Sequence, residues 1–323
     1  MAFFTSPNDP DIAVETMGLS KTYAGSGRAP AKEALKAVDL KIPRGSFFAL
    51  LGPNGAGKST LINILAGLVN KTAGRAAIWG YDTETDMRAA RRSIGVVPQE
   101  LNIDPFFTPR EMLELQAGLY GLPESARRTD EVLAAVGLSD KAEAYARSLS
   151  GGMRRRLLVG KAMVHNPPIL VLDEPSAGVD VDLRRQLWTH VKRLNDEGTT
   201  VLLTTHYLEE AEAMCDTIAI INHGQLIACE ETPKLLGRLD AKEMLITVDQ
   251  DVASVPAALS AFHAQLEGTR ALRVAYPPST VTSGQILAAI GEAGLGIIDV
   301  STREADLEEV FLKLTQAPAE NGG

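Results

Sequence analysis

Residues 47–68 read FFALLGPNGAGKSTLINILAGL, and the fold turns on how that stretch is parsed. Phe47, Phe48, Ala49, Leu50 and Leu51 form a continuous apolar run, the pattern of a strand buried on both faces in a parallel sheet. The run breaks into Gly52, Pro53, Asn54, Gly55, Ala56, Gly57, Lys58 and Ser59, a match to G-x-x-x-x-G-K-[ST]. A helical pattern follows, with Leu61, Ile64, Leu65 and Leu68 as its apolar positions. Strand, glycine-rich loop and helix in that order form the context a phosphate-binding loop requires. The glycines let successive N–H groups converge on one anion. The helix opening at Lys58 adds unpaired N–H groups and a positive dipole end. Lys58 is expected to reach the β- and γ-phosphates and the Ser59 hydroxyl to ligate Mg²⁺. The stretch therefore implies binding of a nucleoside triphosphate.

Composition sets the bounds around that loop. The 323 residues suit one large domain and one small one, and 45% apolar with 23% charged residues is ordinary for a globular protein. A net charge of −9 argues against a broad nucleic-acid-binding surface, so no nucleic-acid partner is expected. No apolar stretch approaches the length of a membrane span, and MAFFTSPNDPDIAVE lacks the basic start and apolar core of a signal peptide. A cytosolic chain is expected, acting at a membrane only by docking onto something that spans one. Cys215 and Cys229 have no metal-like spacing and are expected to be reduced core thiols.

Outward from the loop, residues 12–50 read as short strands and turns, with a small-residue loop, Ala24-Gly25-Ser26-Gly27, after Tyr23. Tyr23 either stacks on a base or packs as a half-buried strand aromatic; spacing does not separate the two. The strand Ile94–Val97 ends at Pro98-Gln99. Thr108, Pro109 and Glu111 make a capping box with proline at the first helical position, and a broken helical pattern runs from there to Ser148. Leu149-Ser150-Gly151-Gly152-Met153 opens a further helix that stops at Asn166-Pro167-Pro168. Arg154, Arg155 and Arg156 point in different directions around it and read as a solvated face, since all three cannot meet one ligand. Beyond Arg238 the pattern restarts: strands at Met244–Val248, Ala271–Ala275 and Ile297–Val300, helices at Val255–Leu266 and Gln285–Ala293, and a capping box at Asp306–Glu309.

Ile169-Leu170-Val171-Leu172 reads as a buried strand ending in Asp173-Glu174, at the sheet edge where open parallel sheets bind ligands. Asp173 is positioned to support Mg²⁺. In an extended chain Glu174 points to the opposite side, toward a water in line with the terminal phosphate. Val201–Thr205 is another strand, ending at His206. His165, His190, His223 and His263 lack such context and read as structural or exposed.

Taken in order, Tyr23, the phosphate loop, Gln99, Leu149-Ser150-Gly151-Gly152, Asp173-Glu174, Ser176-Ala177-Gly178-Val179-Asp180 and His206 resemble the ATP-binding subunit of an ABC transporter over residues 12 to about 236. The C-terminal stretch ending Asp306-Leu307-Glu308-Glu309-Val310-Phe311 resembles, more loosely, the extension on subunits that serve ABC-2-type permeases. The resemblance implies an α/β phosphate-loop NTPase cassette over residues 1–236: a RecA-like core, an antiparallel β subdomain and a helical subdomain at about 100–160. A small α/β domain at 237–317 and a disordered tail at 318–323 complete the expected layout. It further implies an ATPase that powers a membrane permease, by analogy an exporter, and that sits at the inner face of the cell membrane through that permease. ATP and Mg²⁺ are its cofactors, and a second ATP-binding subunit, taken as an identical copy, is its partner.

The resemblance also distributes roles. Tyr23 stacks on adenine, and Gly52 through Ser59, with Thr60, hold the phosphates. Ser59, Gln99 and Asp173 serve Mg²⁺, Glu174 is the general base and His206 steadies the γ-phosphate. Leu149, Ser150, Gly151 and Gly152 contact the ATP of the opposite subunit, and Asp180 links the two sites. A docking segment for the permease is expected at Leu101–Phe107. The alternative is a cassette ATPase of DNA repair or translation. The compact insert replaces the coiled coil of the former, and one phosphate loop stands where the latter usually has two. A GTPase is disfavoured because Asn70-Lys71-Thr72-Ala73 lacks the aspartate that guanine reading needs. The family often has Gln where this chain has Met153, so the capping box there is lost. Met153→Gln is expected to leave ATP turnover within about threefold, since Ser150 alone supplies most of a cap's worth; a large gain in a steady-state assay would overturn that expectation.

Overall fold

The computed structural model describes residues 10–25, 30–100, 102–177, 179, 181–304 and 306–316. The chain divides into two compact units, Met1–Thr232 and Pro233–Gly323. The division falls within a short helix that the sequence pattern assigns to the first domain.

The first unit begins with β1 (Ile12–Tyr23), β2 (Lys32–Pro43), β3 (Phe47–Leu51) and α1 (Lys58–Leu65). It continues through β4 (Ala73–Ile78), β5 (Tyr81–Asp82), α2 (Met87–Arg92) and β6 (Ile94–Val97). The helical insert holds α3 (Pro109–Leu119), α4 (Thr129–Ala135) and α5 (Gly151–Met163). Then come β7 (Ile169–Asp173), α6 (Val181–Asp196), β8 (Thr200–Thr204), α7 (Leu208–Met214), β9 (Thr217–Asn222) and β10 (Gln225–Glu231).

The strands form two sheets. A six-stranded sheet has the order β10-β9-β3-β8-β7-β6, parallel from β9 to β6 with β10 antiparallel at one edge. An antiparallel sheet of order β2-β1-β4-β5 lies beside it. All of β3 is buried, and each of its Phe and Leu side chains contributes about 1.5–3 kcal/mol of transfer free energy. One cluster joins Val14 and Leu35 of the antiparallel sheet to Phe48, Leu50, Leu61 and Ile64, so α1 is sandwiched by apolar contact. A separate cluster of Leu113, Leu133, Leu149 and Leu157 holds the helical insert together.

Local chemistry accounts for the helix boundaries. Thr108 Oγ1 accepts from Glu111 N at 3.2 Å while Glu111 Oε2 accepts from Thr108 N at 2.8 Å, a complete capping box. At the other extreme, α1 closes at Ala66, and Gly67 turns away at φ +68°. Leu68 therefore falls outside the helix and is 74% exposed, contrary to its expected place on the apolar stripe.

The second unit starts with α8 (Thr232–Leu236), whose first residue belongs to the unit before. It builds an antiparallel sheet from β11 (Lys242–Val248), β12 (Ala264–Glu267), β13 (Ala271–Tyr276) and β14 (Ile297–Glu304), in the order β12-β13-β11-β14. Helices α9 (Ser283–Glu292) and α10 (Leu307–Gln316) complete it. The helix expected over Val255–Leu266 is absent. A single 3₁₀ turn at Ala257–Leu259 follows Pro256, His263 takes φ +39°, and the chain enters β12. Val255, Leu259, Phe262 and Leu266 mimic a helical period, yet they reach the core from a turn and a strand.

The expected disordered tail at 318–323 lies outside the described residues, as do Ser26 and Gly27. No described helix is long and apolar enough to cross a membrane. The cysteines differ from expectation. Cys215 is buried, but Cys229 is an exposed residue on the edge strand β10. Burial raises the thiol pKa of both, with Asp216 and Glu210 adding at Cys215 and Glu230 at Cys229.

His165 is a packing residue. Its ring stacks on Tyr120 at 3.7 Å between centroids, and Nε2 lies 3.2 Å from Ile94 O. Burial pushes its pKa down to about 4 from 6.5. The native state thus holds the ring neutral while the unfolded chain protonates below pH 6.5, so this contribution to stability is present above 6.5 and is lost as pH falls toward 4. Denaturant midpoints recorded across that window should fall with pH, and His165→Phe, which keeps a stacking ring, should flatten the slope.

Candidate functional site

The carboxyl ends of β3, β7 and β8 emerge side by side, and the expected site residues gather there. A cavity of about 710 Å³ is lined by Asn54 through Thr60, Gln99, Glu174, His206 and Tyr23, with Lys32 and Ala34 on its rim. Gly52 and Pro53 enter through their carbonyls: Lys58 Nζ donates to Gly52 O at 2.5 Å and to Pro53 O at 3.2 Å. Burial pulls the Lys58 pKa down, opposed by the nearby charges of Glu174 and Asp173. This is a largely buried cation whose described hydrogen-bond partners are neutral carbonyls, set at the start of α1. The N–H groups of Lys58, Ser59 and Thr60 open that helix ahead of its first bond, Leu61 N to Gly57 O at 2.9 Å. Cation and free donors together fit a polyphosphate anion.

The loop depends on one glycine in particular. Gly57 has φ +115°, and a Cβ there would sit 2.6 Å from Ala34 O and 2.9 Å from Leu35 Cδ2. The loop therefore seats against β2 as well as on β3.

Asp173 is the last residue of β7, and its Oδ1 accepts from Thr204 Oγ1 at 2.5 Å. Glu174 does not continue the strand. Its φ of +46° puts it in the left-handed region, at a cost of about 1–2 kcal/mol for a side-chained residue, so the alternation of an extended chain does not set its direction. The conformation is held by hydrogen bonds. Glu174 N donates to Thr204 O at 3.0 Å and Thr204 Oγ1 at 3.2 Å. Its Oε2 accepts from Gln99 Nε2 at 2.7 Å and lies 3.5 Å from His206 Nδ1. Gln99, Glu174 and His206, distant in sequence, thus share one carboxylate oxygen.

Tyr23 ends β1 opposite Lys32, is 39% exposed, and carries Lys21 Nζ 4.9 Å from its ring centroid. Tyr23 lines the cavity and is not part of the core, a place that suits contact with a base. Ser59, an exposed residue, and Gln99 line the cavity and carry oxygens that suit Mg²⁺; Asp173 is not part of the lining, and its Oδ1 accepts from Thr204 Oγ1.

Leu149, Ser150, Gly151 and Gly152 do not line this cavity. Ser150 caps α5, accepting from Met153 N at 3.3 Å, and is exposed. Met153 packs against the helical-insert cluster. Asp180 and Gly178 lie outside the described residues, as does Leu101.

Several contributors escaped the sequence pattern. The arginine run is not a solvated face. Arg155 is 4% exposed and donates to Pro98 O, Gln99 O and Glu174 O, at 2.8, 3.0 and 3.3 Å. Arg156 Nη1 donates to Val136 O and Gly137 O, closing the end of α4. Glu210 collects Ser176 Oγ at 2.8 Å, Thr205 Oγ1 at 3.0 Å and Trp188 Nε1 at 3.2 Å, tying the segment after Glu174 to the segment before His206. A glutamate four residues beyond His206 in a helix was the available signal.

Comparison with known proteins agrees with this geometry. Residues 35–177 match the family model described as ABC transporter. The linearmycin resistance ATP-binding protein LnrL of Bacillus subtilis (strain 168) is 36% identical, covering 88% of this chain and 94% of its own. The Nod factor export ATP-binding protein I of Burkholderia orbicola (strain AU 1054) is also 36% identical, covering 88% and 92%. A solved dimeric ATP-binding cassette in a post-hydrolysis state, bound to ADP and Pi, superposes with a TM-score of 0.61 at 30% identity, covering 68% of this chain and 98% of that one.

Thr204 is wholly buried and its hydroxyl serves both Asp173 and Glu174. Thr204→Val should lower kcat for ATP hydrolysis about tenfold, with KM within about threefold, because it loosens two carboxylate residues and leaves the phosphate loop intact. Steady-state kinetics at saturating ATP would measure this, and an unchanged kcat would count against the hydroxyl's role.

Proposed function

Because the chain belongs to the ABC transporter ATP-binding family and is an ATPase, we propose that two copies of it close head to tail on two ATP molecules and drive a separate ABC-2-type membrane permease that exports its cargo. The observation that carries this reading is the cavity that unites the phosphate loop with Gln99, Glu174, His206 and Tyr23. Export is favoured by the relatives, whose names are those of a resistance protein and an export protein.

In each pocket the loop N–H groups and Lys58 hold the phosphates while Tyr23 stacks on adenine. Glu174 Oε2 takes a proton from water as the water oxygen attacks the γ-phosphorus. The bond to the β–γ bridging oxygen breaks, and ADP and inorganic phosphate result. Gln99 and His206, both beside Glu174 Oε2, orient the carboxylate, and His206 also steadies the γ-phosphate. Ser59, Gln99 and Asp173 are the residues that would hold Mg²⁺, which when bound offsets charge on the phosphates.

The need for a second copy is supported by what surrounds Ser150. It caps a thirteen-residue helix whose start is exposed, and a Cβ on Gly151 would meet nothing within 4 Å. A helix N-terminus opening on empty space suits an anion brought by another subunit. We assign Leu149 through Gly152 to the opposite nucleotide and Asp180 to the link between sites. Closure then depends on the γ-phosphate, and hydrolysis releases it. The permease is assigned to the segment leading to Phe107, where Phe106 is 70% exposed. Membrane attachment would come through that partner.

Glu174→Gln should keep ATP binding, reduce turnover at least about 100-fold, and accumulate an ATP-bound dimer on size-exclusion chromatography with light scattering. Turnover at the parent rate would remove Glu174 from the base role.

A further inference from the structure

The three arginines after Met153 have unlike surroundings, and Arg155 is the informative one. It is buried near the start of α5, and its described acceptors are all backbone carbonyls. Nη1 takes Pro98 O and Gln99 O, and Nη2 takes Glu174 O. One rigid fork therefore grips the main chain at both residues whose side chains meet in the 2.7 Å bond from Gln99 Nε2 to Glu174 Oε2. Those residues stand 75 positions apart in the chain. Each lies two residues beyond the last pair of the adjacent strands β6 and β7, Val97 opposite Leu172, so the ladder brings them close but its pairing stops short of both.

We propose that Arg155 is a positioning residue for ATP hydrolysis: by clamping the main chain of Gln99 and Glu174 together, it aims the Glu174 carboxylate at the attacking water. The inference rests on the base role proposed for Glu174. Three features support it. The Glu174 backbone is in a left-handed conformation and needs restraint at both its N–H and its C=O; Thr204 supplies the first and Arg155 the second. A planar guanidinium reaches acceptors in divergent directions at fixed spacing, which an ammonium does not. Burying a guanidinium against neutral carbonyls is also a costly way to fill a space that an apolar side chain would fill more favourably. Arg155 further shares its helix with Ser150, so movement of the helix start on meeting a nucleotide passes through the fork to Glu174.

The test is a set of substitutions in the full chain, read by kcat, by KM for MgATP and by thermal melting. Arg155→Met should lower kcat about 30-fold or more with KM within about threefold, and Arg155→Lys should lower it about five- to tenfold. In a Gln99→Ala background, Arg155→Met should cost no more than about threefold, because both changes release the same carboxylate and their effects are not additive. A role in folding alone predicts the opposite: losses that add across the two backgrounds and follow the melting temperature. Additive losses, or a parent-rate kcat in Arg155→Lys, overturn the proposal. Arg155→Lys decides the matter if Arg155→Met does not fold. Should Glu174→Gln turn over ATP at the parent rate, the base assignment fails and this inference with it. If Glu174→Gln is inactive while both Arg155 variants keep the parent kcat, this inference alone fails.

Discussion

The carboxyl edge of a parallel sheet brings different chain segments to one line, and here that line is pinned by a single hydroxyl. Register places Asp173 of β7 beside Thr204 of β8, and β8 beside β3, which leads into the phosphate loop. Thr204 Oγ1 donates to the carboxylate of Asp173 and accepts from the backbone of Glu174. The strand order thus sets which residues are neighbours, while this hydroxyl and the guanidinium of Arg155 hold the chain just beyond the strands. Neither the left-handed turn at Glu174 nor its contacts to Gln99 and His206 would survive a shift of one residue along β7, since every side chain would change face.

Charge at the site follows from the same geometry. Lys58 and Arg155 both stand near its carboxylates, each with its pKa lowered by burial and raised in part by Asp173 and Glu174. Both cations rest on main-chain carbonyls. For Lys58 this is a waiting position, since a phosphate oxygen offers a stronger partner than Gly52 O or Pro53 O. Arg155 has no open space before it and keeps its carbonyls. One cation thereby serves the ligand, the other the scaffold.

Features written in local chemistry were legible beforehand. The phosphate loop, the Thr108 capping box and the Ser150 cap each involve residues a few positions apart, where the chemistry of one turn decides the outcome. The parallel core followed from apolar runs ending in functional residues. The features that were missed are tertiary. Nothing within Arg154-Arg155-Arg156 says which member will be buried, because the acceptors of Arg155 come from the residues just beyond β6 and β7. The backbone of Glu174 departs from a strand under the pull of Thr204, a residue far along the chain. In the second unit, an apolar period of three and four residues misread a turn and a strand as one helix, since both bury the same positions.

The two cysteines carry a practical consequence. Thiolate, not thiol, reacts with maleimides and disulfide-forming oxidants, and both native sulfurs are disfavoured as thiolates, Cys215 by deep burial and Cys229 by partial burial beside Glu230. Of the two, Cys229 is the one that solvent reaches, so a labelling reagent that modifies the folded chain meets Cys229 before Cys215.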